Sequence, residues 1–344
     1  MSWGEVGGTD QASQPVSSRE PTTVCLCTRN GGRYLRPLLD SLAQQTSPPS
    51  ELLVGDDCST DDTLQILREF SLSAPFPVEV VRNERRLGHV ANSEQLLEKA
   101  AGSVVLPCDQ DDIWAPTKTE ALTRALERLP LCGAAFCNSA FIDADDKALP
   151  GSLFETVGLT AALRARLESG NALADIANRN VVAGHALAIR RSSLPLVLPY
   201  GPTPYGDWWI ALVLAGTTGI AVVEECLVSY RLHGTNSVGL DKKLRFAERA
   251  SASFSGGLLA RADLLEATID RIDQVSPGKL SSTDRLVLQA RASHMRSRGT
   301  LPAKRSRRVA KVFHEAARGR YGQFGRGWKS VLMDLVREMP AADS

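Results

Sequence analysis

Ser103-Val104-Val105-Leu106-Pro107-Cys108 runs straight into Asp109-Gln110-Asp111-Asp112. A short apolar run of this length reads as a buried strand. A sheet core does not hold three carboxylates, so they emerge at the strand's end, where they repel one another unless a cation stands among them. Hard oxygen ligands suit Mg²⁺ or Mn²⁺, ions that usually bridge to substrate phosphates. The stretch therefore points to a metal-assisted site for a phosphate-bearing substrate. The competing reading is a solvated acidic turn before the helix that follows Pro116, and for an isolated Asp-x-Asp that reading is the stronger.

On either side, strands and helices alternate through the first 140 residues. Thr22–Cys27 reads as a strand. Leu35, Leu38, Leu39 and Leu42 recur at helical spacing within 33–45. Glu51–Gly55 is a second strand. Ser59-Thr60-Asp61-Asp62 resembles a helix-start box before Thr63–Phe70. Val78–Val81, 103–108 and 133–138 read as further strands, with helices over 89–101 and 116–129. The alternation predicts an α/β fold: a mostly parallel sheet with helices on both faces.

In such sheets ligands bind at the carboxyl ends of the strands. Thr28-Arg29-Asn30, Asp56-Asp57 and Asp109–Asp112 all fall there, from three strands onto one edge. That convergence lifts the site reading above what any one motif carries. No GxGxxG follows the first strand and no GxxxxGK[ST] occurs, which disfavours dinucleotide oxidoreductases and P-loop NTPases.

Beyond residue 140 the pattern is weaker. Val181–Ile189 reads as a strand interrupted by Gly184-His185, and Asp207 opens a helix. Ile220–Val223 is a short strand, followed by Tyr230-Arg231-Leu232-His233-Gly234-Thr235-Asn236. From Asp241 onward the pattern is helical, with breaks at Pro277-Gly278 and 299–302. Residues 1–20, rich in Gly, Ser, Gln and Thr, are expected to be disordered. The predicted division is thus 1–20, a catalytic domain over 21–240, and a basic helical extension over 241–344.

Hydrophobic residues make up 43% of the 344, enough for a full core, and the net charge of +1 hides an asymmetry. Arg296 to Arg326 holds ten Lys and Arg against Glu315 alone, a local +9, which leaves about −8 on the rest. The seven cysteines form no CxxC, and Cys25 and Cys27 share one strand face, as small core residues do. These features, with no leader and no apolar run long enough to span a bilayer, predict a reduced, cytoplasmic setting.

Together, Thr28-Arg29-Asn30, the stretch from Val54-Gly55-Asp56-Asp57 to Asp61, and Cys108-Asp109-Gln110-Asp111-Asp112-Ile113-Trp114 resemble family-two glycosyltransferases of the GT-A fold. Gly206-Asp207-Trp208-Trp209 and Tyr230–Asn236 resemble the bacterial rhamnosyltransferase-like branch of that family. The resemblance covers roughly residues 22–240, with the motifs in the family's order. It implies an inverting transfer from a nucleoside-diphosphate sugar, with dTDP-rhamnose the leading donor and a cell-surface glycan or lipid-linked saccharide the acceptor.

The resemblance also implies roles. Asp57 accepts from the donor's pyrimidine base, with Thr28 and Asn30 lining the same pocket; the alternative is that Asp57 and Ser59 cap the next helix. Asp111 ligates Mg²⁺ or Mn²⁺ directly. Asp109 reaches the ribose or the metal's waters. Asp112 orients the loop or faces the sugar. His233 contacts metal or diphosphate, and Arg231 contacts phosphate; their alternatives are a packing histidine and a solvated strand-end charge. Asp207 matches the catalytic base, which takes the acceptor hydroxyl's proton, against a plain helix cap. Gly184 allows close backbone approach to sugar or acceptor, with His185 equally a core residue. Trp114, Trp208 and Trp209 are candidates for stacking on sugars, although burial is the commoner fate of Trp.

The basic segment interleaves Arg305, Arg307, Arg308, Lys311, Arg318, Arg320 and Arg326 with Phe313, Tyr321, Phe324 and Trp328. Such interleaving suits an anionic membrane surface, here the inner leaflet, against a solvated face packed on the catalytic domain. No motif points to nucleic acid. Three alternatives to the leading function stay open: a UDP-hexose donor on the same fold, a non-catalytic sugar-nucleotide binder, and a haloacid-dehalogenase-type phosphatase. The phosphatase wants Thr or Val four residues after its first Asp, near the chain start, where this sequence has Ile113 deep in the chain.

Overall fold

The computed structural model describes residues 20–201, 203–233 and 252–336. Residues 1–19 of the segment expected to be disordered, the boundary at 240 and the Gly234-Thr235-Asn236 end of the late motif lie outside them.

β1 (Thr22–Thr28), β2 (Glu51–Asp56) and β4 (Val104–Asp109) send alternate side chains to opposite faces of one sheet. Val24, Leu26, Leu52, Val54, Val104 and Leu106 pack on one face, against Leu35, Leu38, Leu39 and Leu42 of α1 (Gly32–Ala43) and Ile66, Leu67 and Phe70 of α2 (Thr63–Ser71). Cys25, Leu53 and Val105 point the other way, onto Leu96 and Leu97 of α3 (His89–Lys99). Burial on both faces explains why these strands read as continuous apolar runs.

β3 (Val78–Arg82), β2, β1 and β4 are parallel neighbours in that order. The chain therefore steps outward from β1 to β3 and returns beside β1 as β4. The crevice where that order reverses is the usual ligand site of an open α/β sheet. The register sets Cys27 opposite Asp109 and Thr28 opposite Asp56, so the three polar segments leave the sheet side by side.

The rest of the sheet is built from β5 (Ile113–Trp114), β6 (Ala134–Ile142), β7 (Ala148–Ser152), β8 (Leu187–Arg190) and β9 (Ile220–Arg231). The full order is β3-β2-β1-β4-β8-β6-β9-β5, with β7 on β6. Two expectations change here. The strand expected over 181–189 is mostly a loop and a 3₁₀ turn, Gly184–Ala186, ahead of β8. The short strand expected at Ile220–Val223 instead continues to Arg231. Exposed Glu224 and Glu225 hid that continuity; they sit at a register shift, where Cys137 pairs Val223 and Asn138 pairs Cys226.

Between β4 and β6 runs α4 (Lys118–Arg128). Four short helices follow in the next segments, α5 (Leu153–Val157), α6 (Ala161–Glu168), α7 (Leu173–Asn178) and α8 (Leu194–Val197), and then the longer α9 (Gly206–Thr217). α9 is apolar nearly all round and almost wholly buried, as a central helix must be. The hairpin of α10 (Ala252–Val275) and α11 (Ser282–Gly299) breaks at Pro277-Gly278, as expected. Its Leu258, Leu265, Ile269, Ile272, Leu288 and Met295 join the same core cluster as α9.

α12 (Arg305–Ala317), α13 (Arg320–Phe324) and α14 (Trp328–Val336) close around a separate small core of Leu301, Val312 and Tyr321. A buried ion pair fastens them. Arg298 donates to Asp334 at 2.6 and 3.1 Å, and the Tyr321 hydroxyl donates to Asp334 at 2.7 Å. Removing one partner strands the other in a dry site. Asp334→Ala is therefore expected to destabilise these helices by about 3–5 kcal/mol, read as a lower urea midpoint by far-UV circular dichroism. A change within about 0.5 kcal/mol, the range of ordinary surface substitutions, contradicts this. All seven cysteines are free thiols. No helix among the described residues is long and apolar enough to cross a membrane.

Candidate active site

The first wall of the cleft is the loop after β1. Thr28 is buried and donates to Asp56 at 3.2 Å. Asn30 is exposed at φ +47, a conformation that Asn tolerates. Its N–H donates to Ser59 at 2.9 Å and its Oδ1 accepts from the Thr60 N–H at 2.8 Å. Asp56 accepts from the Ser59 N–H at 3.0 Å, fixing the 56–60 turn, and Asp61 accepts from the Thr63 N–H at 3.1 Å at the start of α2. Asp56, Ser59 and Asp61 thus hold the turn, and the Asp57 carboxylate takes no part in it.

Asp57 reaches instead to the loop before α3. It accepts from the N–H groups of Leu87 at 2.6 Å and Gly88 at 2.9 Å, and from Asn83 at 3.2 Å. Gly88 sits at φ +85, which explains glycine at that turn. Burial pushes the Asp57 carboxyl up, but these donors outweigh it and hold the group below its usual range, ionised. A carboxylate has about four lone-pair positions, so one remains for a further donor.

The acidic loop forms the second wall. Its three carboxylates face different surroundings. Asp111 is partly exposed and lies 2.8 Å from His233 Nε2. His233 in turn lies against the ring of Tyr34, 5.0 Å between centroids. Asp109 is half-buried at the tip of β4, where burial pushes its carboxyl up. Asp112 is fully buried, and its Oδ1 accepts the Arg231 N–H at 3.1 Å. Burial raises the Asp112 carboxyl well above its ordinary value, with Asp109 and Asp111 adding to the effect.

Arg231 departs from the sequence reading. The reading gave it a phosphate contact, but its side chain is 1% exposed. The guanidinium donates to the carbonyls of Asp111 at 2.8 Å and Asp143 at 3.1 Å, and pairs with Asp146 at 2.5 Å. Thus Arg231 holds the acidic loop from behind. Trp114, Trp208 and Trp209 are buried as well, and the two indoles of α9 donate to backbone carbonyls of Ile176 and Val197. These three pack in the interior, the commoner fate of Trp, rather than line the cleft.

Behind the acidic loop lies a constellation that sequence reasoning missed. Asp109, Asp112 and His185 present ligand atoms all within 4.8 Å of one another. Asp112 Oδ2, 4.0 Å from His185 Nδ1, is buried without a hydrogen-bond partner. His185 Nε2 meets Ser139 Oγ at 2.9 Å, and its ring stacks on Tyr230 at 4.5 Å. Beneath them Lys118 is wholly buried. Its Nζ donates to the His185 carbonyl at 2.7 Å and sits 3.3 Å from the Trp114 ring centroid. Burial pushes Lys118 down to about 8, against the pull of nearby Asp112 and Asp109, and holds the His185 ring down to about 3, neutral. Nothing in the local sequence separates Lys118 from a solvated helix-start lysine.

Asp207 faces this loop from the start of α9. It lies in the first turn rather than at the cap, which is Tyr205. Its Oδ1 accepts from the Trp208 N–H at 2.7 Å, and its Cβ lies 3.6 Å from where a side chain on Gly184 would begin. Burial pushes the Asp207 carboxyl up to about 6, and the charge of Asp109 adds to the rise. An activity that needs Asp207 ionised is therefore expected to be full above about pH 7 and to fall tenfold per unit below about pH 6; a kcat profile flat from pH 8 to 5 contradicts such a role.

A reversing parallel sheet with an acidic loop at its switch point and a carboxylate facing it from a buried helix is a GT-A arrangement. The family model for glycosyl transferase family 2 matches residues 23–194, half of the chain. The chain belongs to that family. It is 26% identical over 220 residues to an uncharacterised glycosyltransferase of Nostoc, covering 62% of this chain and 66% of that protein. The chain spans about two thirds of the length of the curated relatives it matches first. A 97-residue stretch is 30% identical to a dTDP-rhamnosyl transferase of Shigella flexneri, 27% of this chain and 34% of that one. In fold it is similar to a mannosyltransferase of Pyrobaculum calidifontis solved with GDP-Man and Mn²⁺, with a TM-score of 0.54, 17% identity, and 92% and 85% of the two chains covered.

Proposed function

We propose that this glycosyltransferase moves a sugar, with inversion, from a nucleoside-diphosphate sugar to a hydroxyl of a cell-surface glycan or lipid-linked saccharide. The observation that carries the reading is the meeting of three strand ends with Asp207 around one crevice. In this reading Thr28, Asn30 and Asp57 line the pocket for the base, and Asp57 takes the base's imide N–H. Asp109, Asp111 and His233 hold a Mg²⁺ or Mn²⁺ ion.

The residues fit such an ion. Its donors are hard oxygens and an imidazole: Asp109 and Asp111 crowd one loop, and His233 Nε2 stands 2.8 Å from the Asp111 carboxylate. When bound, the ion supplies positive charge to the departing diphosphate. Asp207 takes the acceptor hydroxyl's proton as that oxygen attacks the anomeric carbon. Asp112 and Arg231 keep the acidic loop in place.

For the donor sugar we take dTDP-rhamnose. Support comes from the late motifs around Asp207 and Tyr230 and from the local similarity to the Shigella rhamnosyl transferase. The test is the rate of nucleoside-diphosphate release from dTDP-rhamnose and from UDP-hexoses, with Mg²⁺ or Mn²⁺ present. Faster release from dTDP-rhamnose is expected. Faster release from a UDP-hexose moves the assignment to that donor class, and release from none favours a non-catalytic binder.

A further inference from the structure

Much of the charge between Arg296 and Arg326 is used inside the protein. Arg296 pairs with Asp263 and Glu266, Arg298 with Asp334, and Arg320 with Glu315. Arg308 donates to the carbonyls of Pro302 and Ala303, and Lys311 to that of Thr300. Five cations of the segment remain exposed, Lys304, Arg305, Arg307, Arg318 and Arg326, and Lys329 makes a sixth. The acids among described residues 300–336 are Glu315 and Asp334, both buried and both paired within the protein. Among described residues 300–336 the outer surface is therefore cationic, with no exposed acid.

It is also apolar where a surface helix is usually polar. Trp328, Leu332 and Val336 are 70%, 51% and 65% exposed. Spaced by four, they form one stripe along α14. The helix already has a different apolar side, through Val331 and Leu335, on the small core. The buried Arg298–Asp334–Tyr321 cluster fixes which side faces in. The stripe cannot turn inward without breaking it. Phe313 on α12 adds a fourth exposed large apolar side chain to the unit.

We propose that this C-terminal face docks on an anionic lipid bilayer, with Trp328, Leu332 and Val336 at the interface and the exposed Lys and Arg on lipid phosphates. Trp favours that boundary, where its ring is half apolar and its N–H stays wet. Cations near an anionic leaflet each add to binding, and their stems lie along apolar surface. Among described residues 300–336 a second copy of the same unit would bring exposed cations and no exposed acid to meet them.

The test is co-sedimentation of the full chain with phosphatidylcholine vesicles, with and without phosphatidylglycerol, across a salt series. The protein is expected to pellet with the anionic vesicles alone and to be released as salt rises. W328S/L332S is expected to weaken binding about tenfold or more, and R305Q/R307Q roughly fivefold per cation removed. All four side chains are exposed, so circular dichroism should match the wild type. Equal binding to neutral vesicles, binding unchanged in both variants, or no binding to either vesicle overturns the proposal. So does a fall in the wild type's sedimentation coefficient on W328S/L332S without a change in vesicle binding, which makes the face a protein contact. These outcomes are independent of nucleotide binding, so the reading of the reaction stands or falls separately.

Discussion

Asp207→Asn is expected to lower kcat by about a hundredfold to ten-thousandfold, the usual worth of a positioned general base, with donor KM nearly unchanged. Asn keeps the size of the side chain and still accepts the Trp208 N–H that Asp207 accepts at 2.7 Å. It also suits a helix start as well as Asp does. A purely structural Asp207 therefore predicts almost no loss, and the two accounts separate cleanly. The pH profile adds a second discriminator. The wild type's acid limb near pH 6 should vanish from the variant's residual activity, because the group that titrates is gone. A variant within about threefold of wild-type kcat, or one that keeps the acid limb, returns Asp207 to the helix start and leaves the base unassigned.

Lys118→Met should cost about 1–3 kcal/mol of stability, by leaving the buried His185 carbonyl without its donor. Met fills most of the space over Trp114, so the loss measures hydrogen bonding rather than a cavity. The sign with pH follows from the shift. Lys118 binds its proton less tightly folded, at about 8, than unfolded near 10.4. The folded state therefore sheds that proton first, and the penalty of burying the charge eases as pH rises through 8 toward 10. Urea midpoints of wild type and variant at pH 7 and 9 check this. The gap between them should widen from pH 7 to pH 9, because only the wild type gains stability as Lys118 sheds its proton; a variant as stable as wild type at both contradicts the role.

The sheet around the site was legible because burial on both faces writes strands as short apolar runs, and turn residues mark their carboxyl ends. Asp57, Asp109 and Asp207 stood out through the resemblance of their motifs to the family, because a lone carboxylate at a strand end or helix start reads as well as a solvated turn or a cap. What stayed hidden depends on packing between distant segments. Arg231 looked like a solvated cation, and only the return of β9 past Asp111 and Asp143 shows that it is enclosed. Lys118 and His185 meet 67 residues apart across the sheet, with no local pattern linking them. The length of β9 was missed because two glutamates at a bulge imitate a loop. In the C-terminal segment, composition gave the charge but not which arginines are consumed by buried acids.

The central claim is a cation-dependent nucleoside-diphosphate site at the acidic loop. The direct measurement is thermal stabilisation by UDP and by dTDP, each with and without Mn²⁺ or Mg²⁺, on wild type and on Asp111→Ala. A ligand at about a hundred times its Kd should add roughly 2.7 kcal/mol. The account predicts stabilisation that needs the metal and is lost in Asp111→Ala, with the better nucleotide naming the donor class. No stabilisation by either nucleotide, or the same stabilisation in Asp111→Ala, contradicts it.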